Sequence, residues 1–287
     1  AGDEALILQV DRKNTAAELT AQGLIDRPPE EGTRLEVSLL DELVFTGTTT
    51  DPQTTGDDRT KLRAFDAARD LKRVSLSQTF QEARIDTIAE SACEKAGVEY
   101  TIDLPAEVTS AEYSDTRCDT VVQKMADMGK AVWFVDPSGT VRITQSIGDV
   151  TTDHQLEYVL DTSAGKATPA YQSVRVYGSS PASVGAPGRS GGRSAIHLLA
   201  SSPVTATAGD GEPEYTYEDD DIRTQKQAQN VADSIHQKLQ AQQKGGWIDI
   251  VGDAAIRPYD TVTLPGQLGG EQYLVTGVRH QLGIDNG

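Results

Sequence analysis

Four histidines, His154, His197, His236 and His280, have the widest chemical range of any side chains in this sequence, from metal binding to proton transfer. They lie far apart, with no HExxH and no second histidine at ligand spacing, so no helix face offers two imidazoles to one ion. His236 follows an apolar helical position and His280 ends an alternating stretch, which gives each a structural or surface role. Gly188-Arg189-Ser190-Gly191-Gly192-Arg193-Ser194 combines glycine amides with two guanidinium groups, the ingredients of an anion cradle. It lacks the GxxxxGK[ST] order and no apolar strand runs into it, so a flexible loop is expected. No GxSxG nucleophile turn occurs. Asp57-Asp58 and Glu30-Glu31 are adjacent carboxylates in a chain rich in them. Glu218-Asp219-Asp220-Asp221 comes closest to a calcium site, since hard cations favour grouped carboxylates. A helix expected to start there explains the same acids through its dipole. No run of aromatic and basic residues marks a path for single-stranded nucleic acid. Catalytic, cofactor-binding and metal-binding residues are accordingly expected to be none, and the protein not an enzyme.

Acidic residues number 44 against 26 basic ones, a net charge of −18 over 287 residues. A duplex-DNA binder needs a basic patch to neutralise phosphates, and this balance argues against one. The acids are scattered, which implies a uniformly acidic surface: that of a protein from a high-salt cytoplasm, or simply of an acidic mesophilic one. Apolar residues make up 37% and charged residues 24%, the profile of a somewhat polar globular chain. No run of about 18 apolar residues exists, so no membrane span is expected. Ala1-Gly2-Asp3-Glu4 lacks a basic region followed by an apolar stretch, so no secretory signal is expected there. Cys93 and Cys118, the only cysteines, both fall on expected helices and read as two small buried residues rather than a disulfide.

The elements that would position these residues fall into three textures. Leu6, Leu8 and Val10 alternate, as do Leu35, Val37 and Leu39, and strands follow over 43–46, ended by Gly47, and over 62–65. A polar turn region separates the last two over 48–60. This is a β-meander able to close into a small barrel. Next, Thr79-x-x-Glu82 has capping-box spacing, followed by Ile85, Ile88, Ala89, Ala92 and Ala96 on one helical face up to Gly97. A short strand over 98–102, a helix over 116–128 with Val121, Val122, Met125 and Met128 inward, and a hairpin around Asp136-Pro137-Ser138-Gly139 complete an α+β unit. The third texture opens on a strand at 171–178. A Gly/Ser/Ala/Pro-rich stretch over 179–214 follows, read as a long exposed loop with a short strand at 195–200. A helix over 222–244 shows Ala228, Val231, Ala232, Ile235 and Leu239 on one face, stopped by Gly245-Gly246. Strands over 247–251, 261–264 and 272–281 close the chain around a turn at Arg257-Pro258-Tyr259-Asp260, with Leu274, Thr276 and Val278 on one face. The turn–strand–loop–strand of "TRLEVSLLDELVFTG" echoes "DTVTLPGQLGGEQYLVTG", consistent with two related modules.

The stretches "GGWIDIVGDAAIRPYDTVTL" and "YLVTGVRHQL" resemble the closing module of phage tail-hub proteins. That family includes the late-control D proteins of contractile phages, the hub part of type VI secretion spikes and the N-terminal part of tail-tip proteins. "TFQEARIDTIAESACEKAGVEYTID" with "YSDTRCDTVVQKMADMGKAVWFVDPSGTVRIT" is similar to the inserted domain of those hubs, "KLRAFDAARDLKR" to their connector, and "YQSVRVYG" to the strand that opens their second barrel. The first ~30 residues and the 179–214 insertion match less well.

The resemblance implies an α+β fold of two small antiparallel β-barrel modules, residues 1–72 and 155–287, around an inserted helix–strand–helix–hairpin domain over 73–150. It implies a homotrimeric structural hub in the virion, at the tail tip or baseplate, assembled in the host cytoplasm; the acidity would suit a haloarchaeal tailed virus. Its partners would be the tail tube or distal tail protein and tip, spike or fibre proteins, with tape-measure protein and DNA only in transit. Two other classes stay open: a tail-tip glycan-degrading enzyme, which needs two carboxylates across a cleft, and a receptor-binding adhesin using the 179–214 loop.

Overall fold

The computed structural model describes residues 5–11, 17–23, 29–39, 41–50, 52–54, 60–145, 151–163, 165–166, 171–181, 201–241, 244–268 and 270–283. Asp57-Asp58, the 188–194 glycine run and the 195–200 strand with His197 lie outside them.

The N-terminal strands are β1 (Ala5–Asp11), β2 (Glu18–Gly23), β3 (Arg34–Leu39), β4 (Glu42–Thr49), β5 (Gln53–Thr54) and β6 (Thr60–Phe65). Alternation sets the faces: in β3, Leu35, Val37 and Leu39 are half-buried while Arg34, Glu36 and Ser38 are exposed. β2 was not legible as a strand, because Glu18-Leu19-Thr20-Ala21-Gln22-Gly23 has one strong apolar residue. Gly47 does not end β4 but sits inside it. A Cβ there would lie 2.4 Å from the Phe45 ring and 2.5 Å from the Phe65 carbonyl oxygen, so the strand needs glycine where it passes β6.

The sheet runs β1-β2-β6-β4-β3, with β5 on β6, and the strand joining β1 from the other side is the last of the chain, Gly277–Gly283. Ala5 faces Gly283 and Asp11 faces Gly277, so the two ends of the polypeptide share one sheet. Among the described residues no sheet closes on itself, so the expected barrels are not seen. β4 meets β6 over only two residue pairs, Thr48 with Phe65 and Thr49 with Ala64, and β3 remains an outer strand.

The middle of the chain holds α1 (Ala67–Arg73), β7 (Ser75–Arg84), α2 (Ile85–Ala96), β8 (Tyr100–Asp103), β9 (Val108–Arg117), α3 (Cys118–Met128), β10 (Val132–Val135) and β11 (Val141–Thr144). The helical faces are as the spacing predicts: Ile85, Ile88, Ala89, Ala92, Val121, Val122 and Met125 are fully buried and Met128 nearly so. Gly97 caps α2 in the left-handed region at φ 71°. Thr79 and Glu82 are not a capping box; both lie in β7, which forms an irregular antiparallel ribbon with β9. Glu82 sits at a register shift with φ 47°, its N–H donated to Ser110 Oγ at 2.9 Å. β7 and β9 escaped the sequence reading because their apolar residues are few and the irregularities break the period of two. Cys93 and Cys118 are buried free thiols, and burial pushes the Cys93 thiol up to about 12.

The last part contains β12 (Asp153–Gln155), β13 (Asp161–Thr162), β14 (Gly165–Lys166), β15 (Ser173–Pro181), β16 (Ser201–Gly209), β17 (Glu214–Glu218), α4 (Gln225–Ala241), β18 (Lys244–Gly245), β19 (Ile248–Asp249), β20 (Thr261–Thr263), β21 (Gln272–Leu274) and β22 (Gly277–Gly283). The stretch read as a long loop contains β16, paired with β15 from Ser173–Gly209 to Pro181–Ser201. Val204, Ala206 and Ala208 alternate inward against exposed Thr205 and Thr207, a small-residue pattern obscured by the surrounding composition. α4 is shorter than expected at both ends, and its buried face is the expected one: Ala228, Val231 and Ala232, with Ile235 and Leu239 half-buried.

The expected strand over 272–281 is two strands in different sheets. Val275 is taken by the Arg257–Asp260 turn, donating its N–H to Asp260 O at 2.8 Å and accepting from Tyr259 N at 2.9 Å, and the chain then leaves for β1. The burial phase shifts accordingly: Leu274 is 37% exposed while Tyr273 and Val275 are half-buried.

One continuous core joins the helices α1, α2 and α3 to Val174, Val176, Val204, Ala206 and Ala208 of the later strands, to Ile222 in the segment before α4, and to α4. A smaller cluster of Ala17, Leu19, Val44, Phe45, Ala64 and Ala254 holds the N-terminal sheet. In the larger core, Gly178 of β15 lies directly under Ile222, whose carbonyl oxygen would be 2.4 Å from an added Cβ. Gly178→Ala is expected to lower stability by about 2 kcal/mol or more, read as a drop in urea midpoint without a change in slope.

Candidate functional site

The sequence offers no catalytic constellation, so the sites to build are those where separate elements converge. The first is the seam between α3, β9 and the lead-in to α4. Lys124, on α3, reaches Asp219 Oδ2 at 2.9 Å and Asp221 Oδ2 at 3.1 Å. Asp219 also accepts from the Tyr217 hydroxyl at 3.1 Å and from Asp221 N at 3.0 Å. Burial works against the Lys124 ammonium, but the two carboxylates outweigh it and raise its pKa. Asp221 is pushed upward by burial even though Lys124 pulls it down, so this carboxylate holds its proton more readily than a free one. The hydroxyl of Tyr113, buried beside the pair, has no hydrogen-bond partner, and burial raises its pKa as well.

Around this ion cluster the backbone is tied down by side chains. Gln227 is fully buried; its Oε1 accepts from Arg223 N (2.9 Å) and Thr224 N (3.0 Å), and its Nε2 donates to Val108 O (3.0 Å). Thr109 Oγ1 donates to Asp221 O at 2.6 Å, and the Arg223 guanidinium bridges Ser110 O (3.3 Å) and Ser179 O (3.0 Å). Along the helices, Asn230 Nδ2 donates to Met128 O (2.8 Å), Ser234 Oγ to Asp127 Oδ1 (2.6 Å), and Lys130 pairs with Asp233 (2.9 Å).

The acid run 218–221 therefore neither begins a helix nor frames a cation site. α4 starts four residues later with no acid in its first turn, and Asp219 and Asp221 are spent on Lys124. Among the described residues no group of three or more His, Cys, Asp or Glu side chains is placed to hold a metal ion. Among them too, no helix is long and apolar enough to cross a membrane.

The second convergence is the Asp260 turn. Asp260, 2% exposed, accepts from Thr152 N at 2.8 Å and Arg257 N at 2.7 Å, and its Oδ2 lies 3.1 Å from His154 Nε2. Tyr259, at φ 82°, sends its hydroxyl to Trp133 O at 3.1 Å, pinning the turn to β10. His154 is thus an orienting partner of a structural carboxylate. His236 lies 3.2 Å from Gln172 O, and His280, on β22, has its pKa lowered by burial; the described histidines do not converge.

The third is a cleft of about 720 Å³ between β4, the β10–β11 hairpin, the 254–258 segment and β22. Phe45, Phe134, Ile256 and Val278 give it apolar walls, and Arg142, paired with Asp136 at 2.6 Å, stands at its edge. Asp66 and Thr46 contribute buried polar groups, the Thr46 hydroxyl without a partner. Asp66 caps α1 by accepting from Ala68 N at 3.1 Å; burial pushes its pKa up to about 7. No sequence motif marks this cleft, because its lining comes from seven separated segments.

No protein-family model matches the chain, and no curated protein sequence matches it. Solved structures do. The 43 kDa tail protein of prophage MuSo2 from Shewanella oneidensis is 13% identical, with a TM-score of 0.71 over 98% of this chain and 90% of that one. A tail protein from Neisseria meningitidis is 12% identical, with a TM-score of 0.71 over 97% and 87%. An Escherichia coli type VI secretion component, described as structurally similar to the T4 phage tail proteins gp27 and gp5, is 11% identical, with a TM-score of 0.62 over 100% and 71%. The chain has the fold of these tail proteins, as the resemblance in its sequence implied.

Because the folded pKa of Asp66 is raised, its contribution to stability is complete below about 4 and is lost as pH rises towards 7. Asp66→Asn keeps a capping oxygen and removes the ionisation. The variant should melt higher than the parent at pH 8 by a few degrees, with the gap closing as pH falls to 4. Thermal denaturation at several pH values checks this.

Proposed function

We propose that this chain is a structural hub of a phage tail tip or baseplate, or of a related injection device. The observation that carries the reading is the extent of the fold match: 98% of the chain superposes on a tail protein, and 90% of that protein is covered in return.

The working form is a homotrimer. A tail tube has six-fold symmetry and a tip below it has three-fold symmetry, and three chains bearing two β-modules each present six similar modules upward and a true trimer downward. In this reading residues 1–72 and 155–287 supply the two modules and residues 73–150 the part that faces tip, spike or fibre proteins. The ring sits in the virion beneath the tube or distal tail protein, after assembly in the host cytoplasm. Tape-measure protein and DNA pass through it. A net charge of −18 per chain gives the lumen the sign that repels phosphate and keeps the genome from sticking. An assembled pore walled mainly by Arg and Lys would contradict this.

The test is native mass spectrometry with cryo-electron imaging of the purified chain across a concentration series. A three-chain ring with a central channel is expected. A chain that stays monomeric at every concentration, alone and with its tail partners, would remove the reading.

A further inference from the structure

In a chain with 44 acidic and 26 basic side chains, a guanidinium left without an oxygen partner is the exception. Seven described arginines pair with a carboxylate, Arg223 holds two backbone carbonyls, and Arg279 is engaged within the chain. Arg69 and Arg73 have neither an ion pair nor a hydrogen bond from their side chains among the described residues. They stand four apart on α1 and so share one helix face. Arg69 lies over the Phe65 ring at 4.7 Å, while Arg63, over the same ring at 5.5 Å, is taken by Glu18 at 2.6 Å. Stacking fixes the plane of the Arg69 guanidinium and leaves its N–H edges open, the arrangement that grips a carboxylate best. Arg73 is exposed. The helix dipole favours a cation in that last turn, but it occupies none of the five N–H donors.

The complementary arrangement stands on the ribbon of β13 and β19. Asp161 faces Asp249 and Thr162 faces Ile248. One rung further, Ser163 N donates to Trp247 O at 3.0 Å and Trp247 N donates to Ser163 Oγ at 3.3 Å. Alternation therefore puts Trp247, Asp249 and Val251 on one face together with Asp161. Trp247 is 47% and Val251 72% exposed, and both carboxylates are exposed. Like charges directly opposite cost stability, and no described cation forms an ion pair with either acid. Among the described residues neither strand pairs with a third, and a ladder this short does not stand alone in water. An indole beside two carboxylates suits a guanidinium, since the ring takes its flat face and the acids its N–H edges.

The two surfaces match in number and kind: two guanidinium groups beside Phe65, two carboxylates beside Trp247. No ion pair joins them among the described residues. Elsewhere two copies at −18 each mostly repel, which makes a charge-matched contact selective for one register.

We infer that the Arg69 and Arg73 face of α1 docks on the Asp161, Asp249 and Trp247 face of a second copy. The contact joins two different surfaces, so it propagates head to tail and closes into a ring where the rotation allows. This rests on the ring reading above and names the surfaces through which neighbours meet.

The test is charge reversal with rescue in the full chain. Asp249→Arg and Arg73→Glu should each raise the concentration needed for assembly at least about tenfold, and the two together in one chain should recover most of the loss. Asp249→Arg relieves the facing pair, so it should melt no lower than the parent, and Arg73→Glu should melt within about 3 °C of it. Trp133 is already buried, so a blue shift of tryptophan emission on assembly reports Trp247. If three-chain rings form with unchanged emission and both single variants assemble like the parent, the surface is wrong and the hub reading stands. Loss in both single variants without recovery in the pair would also overturn the contact. Should the parent never associate, alone or with its tail partners, both fall.

Discussion

A cation held between two carboxylates in a half-dry seam sets the constraint on which the rest of this structure depends. Lys124 belongs to α3, and Asp219 and Asp221 to the strand end and turn that lead into α4. Removing the lysine would leave two buried acids facing each other and an unpartnered Tyr113 hydroxyl beside them. The cluster tolerates burial because the peptide groups around it are claimed by Gln227, Thr109 and Arg223. The net stabilisation comes less from the ion pair than from apolar packing it permits, since Ile222, Ala228 and Val231 enter the same core as Val121 and Met125.

That seam explains how one chain keeps distant surfaces in fixed relation. The β10–β11 hairpin is tied to the Asp260 turn by the Tyr259 hydroxyl, and the same turn holds Val275 just before β22 crosses to β1. Helical core, closing turn and N-terminal sheet are thus linked in sequence by buried hydrogen bonds.

Helix faces were legible because 3.6-residue periodicity survives in a sequence of moderate hydrophobicity: Ile85 to Ala96, Val121 to Met128 and Ala228 to Leu239 all lie as their spacing says. Hairpins with strong turn residues, such as Asp136 to Gly139, were equally plain. What was lost was lost to irregularity or to tertiary choice. β7 and β9 carry register shifts that scramble alternation, and Glu82 sits at a bulge where a capping box had seemed formed. The acid run before α4 fits a helix start by composition, yet Lys124, about 95 positions away, claims it. Whether 272–281 is one strand or two depends on the Tyr259–Asp260 backbone, which no local pattern encodes. The fold was legible through order and spacing of elements; the seam and the cleft were not, because each is assembled from remote segments.

The central claim, that α3, α4 and the β15–β17 strands form one cooperative body, is tested most directly by native-state hydrogen exchange. The amides of Val121 to Met125, Val174 to Val176 and Val231 to Ile235 should open with a common free energy and a common denaturant dependence. Exchange of α4 and β15 at a free energy several kcal/mol below that of α3 would show two separately folding bodies and contradict the account.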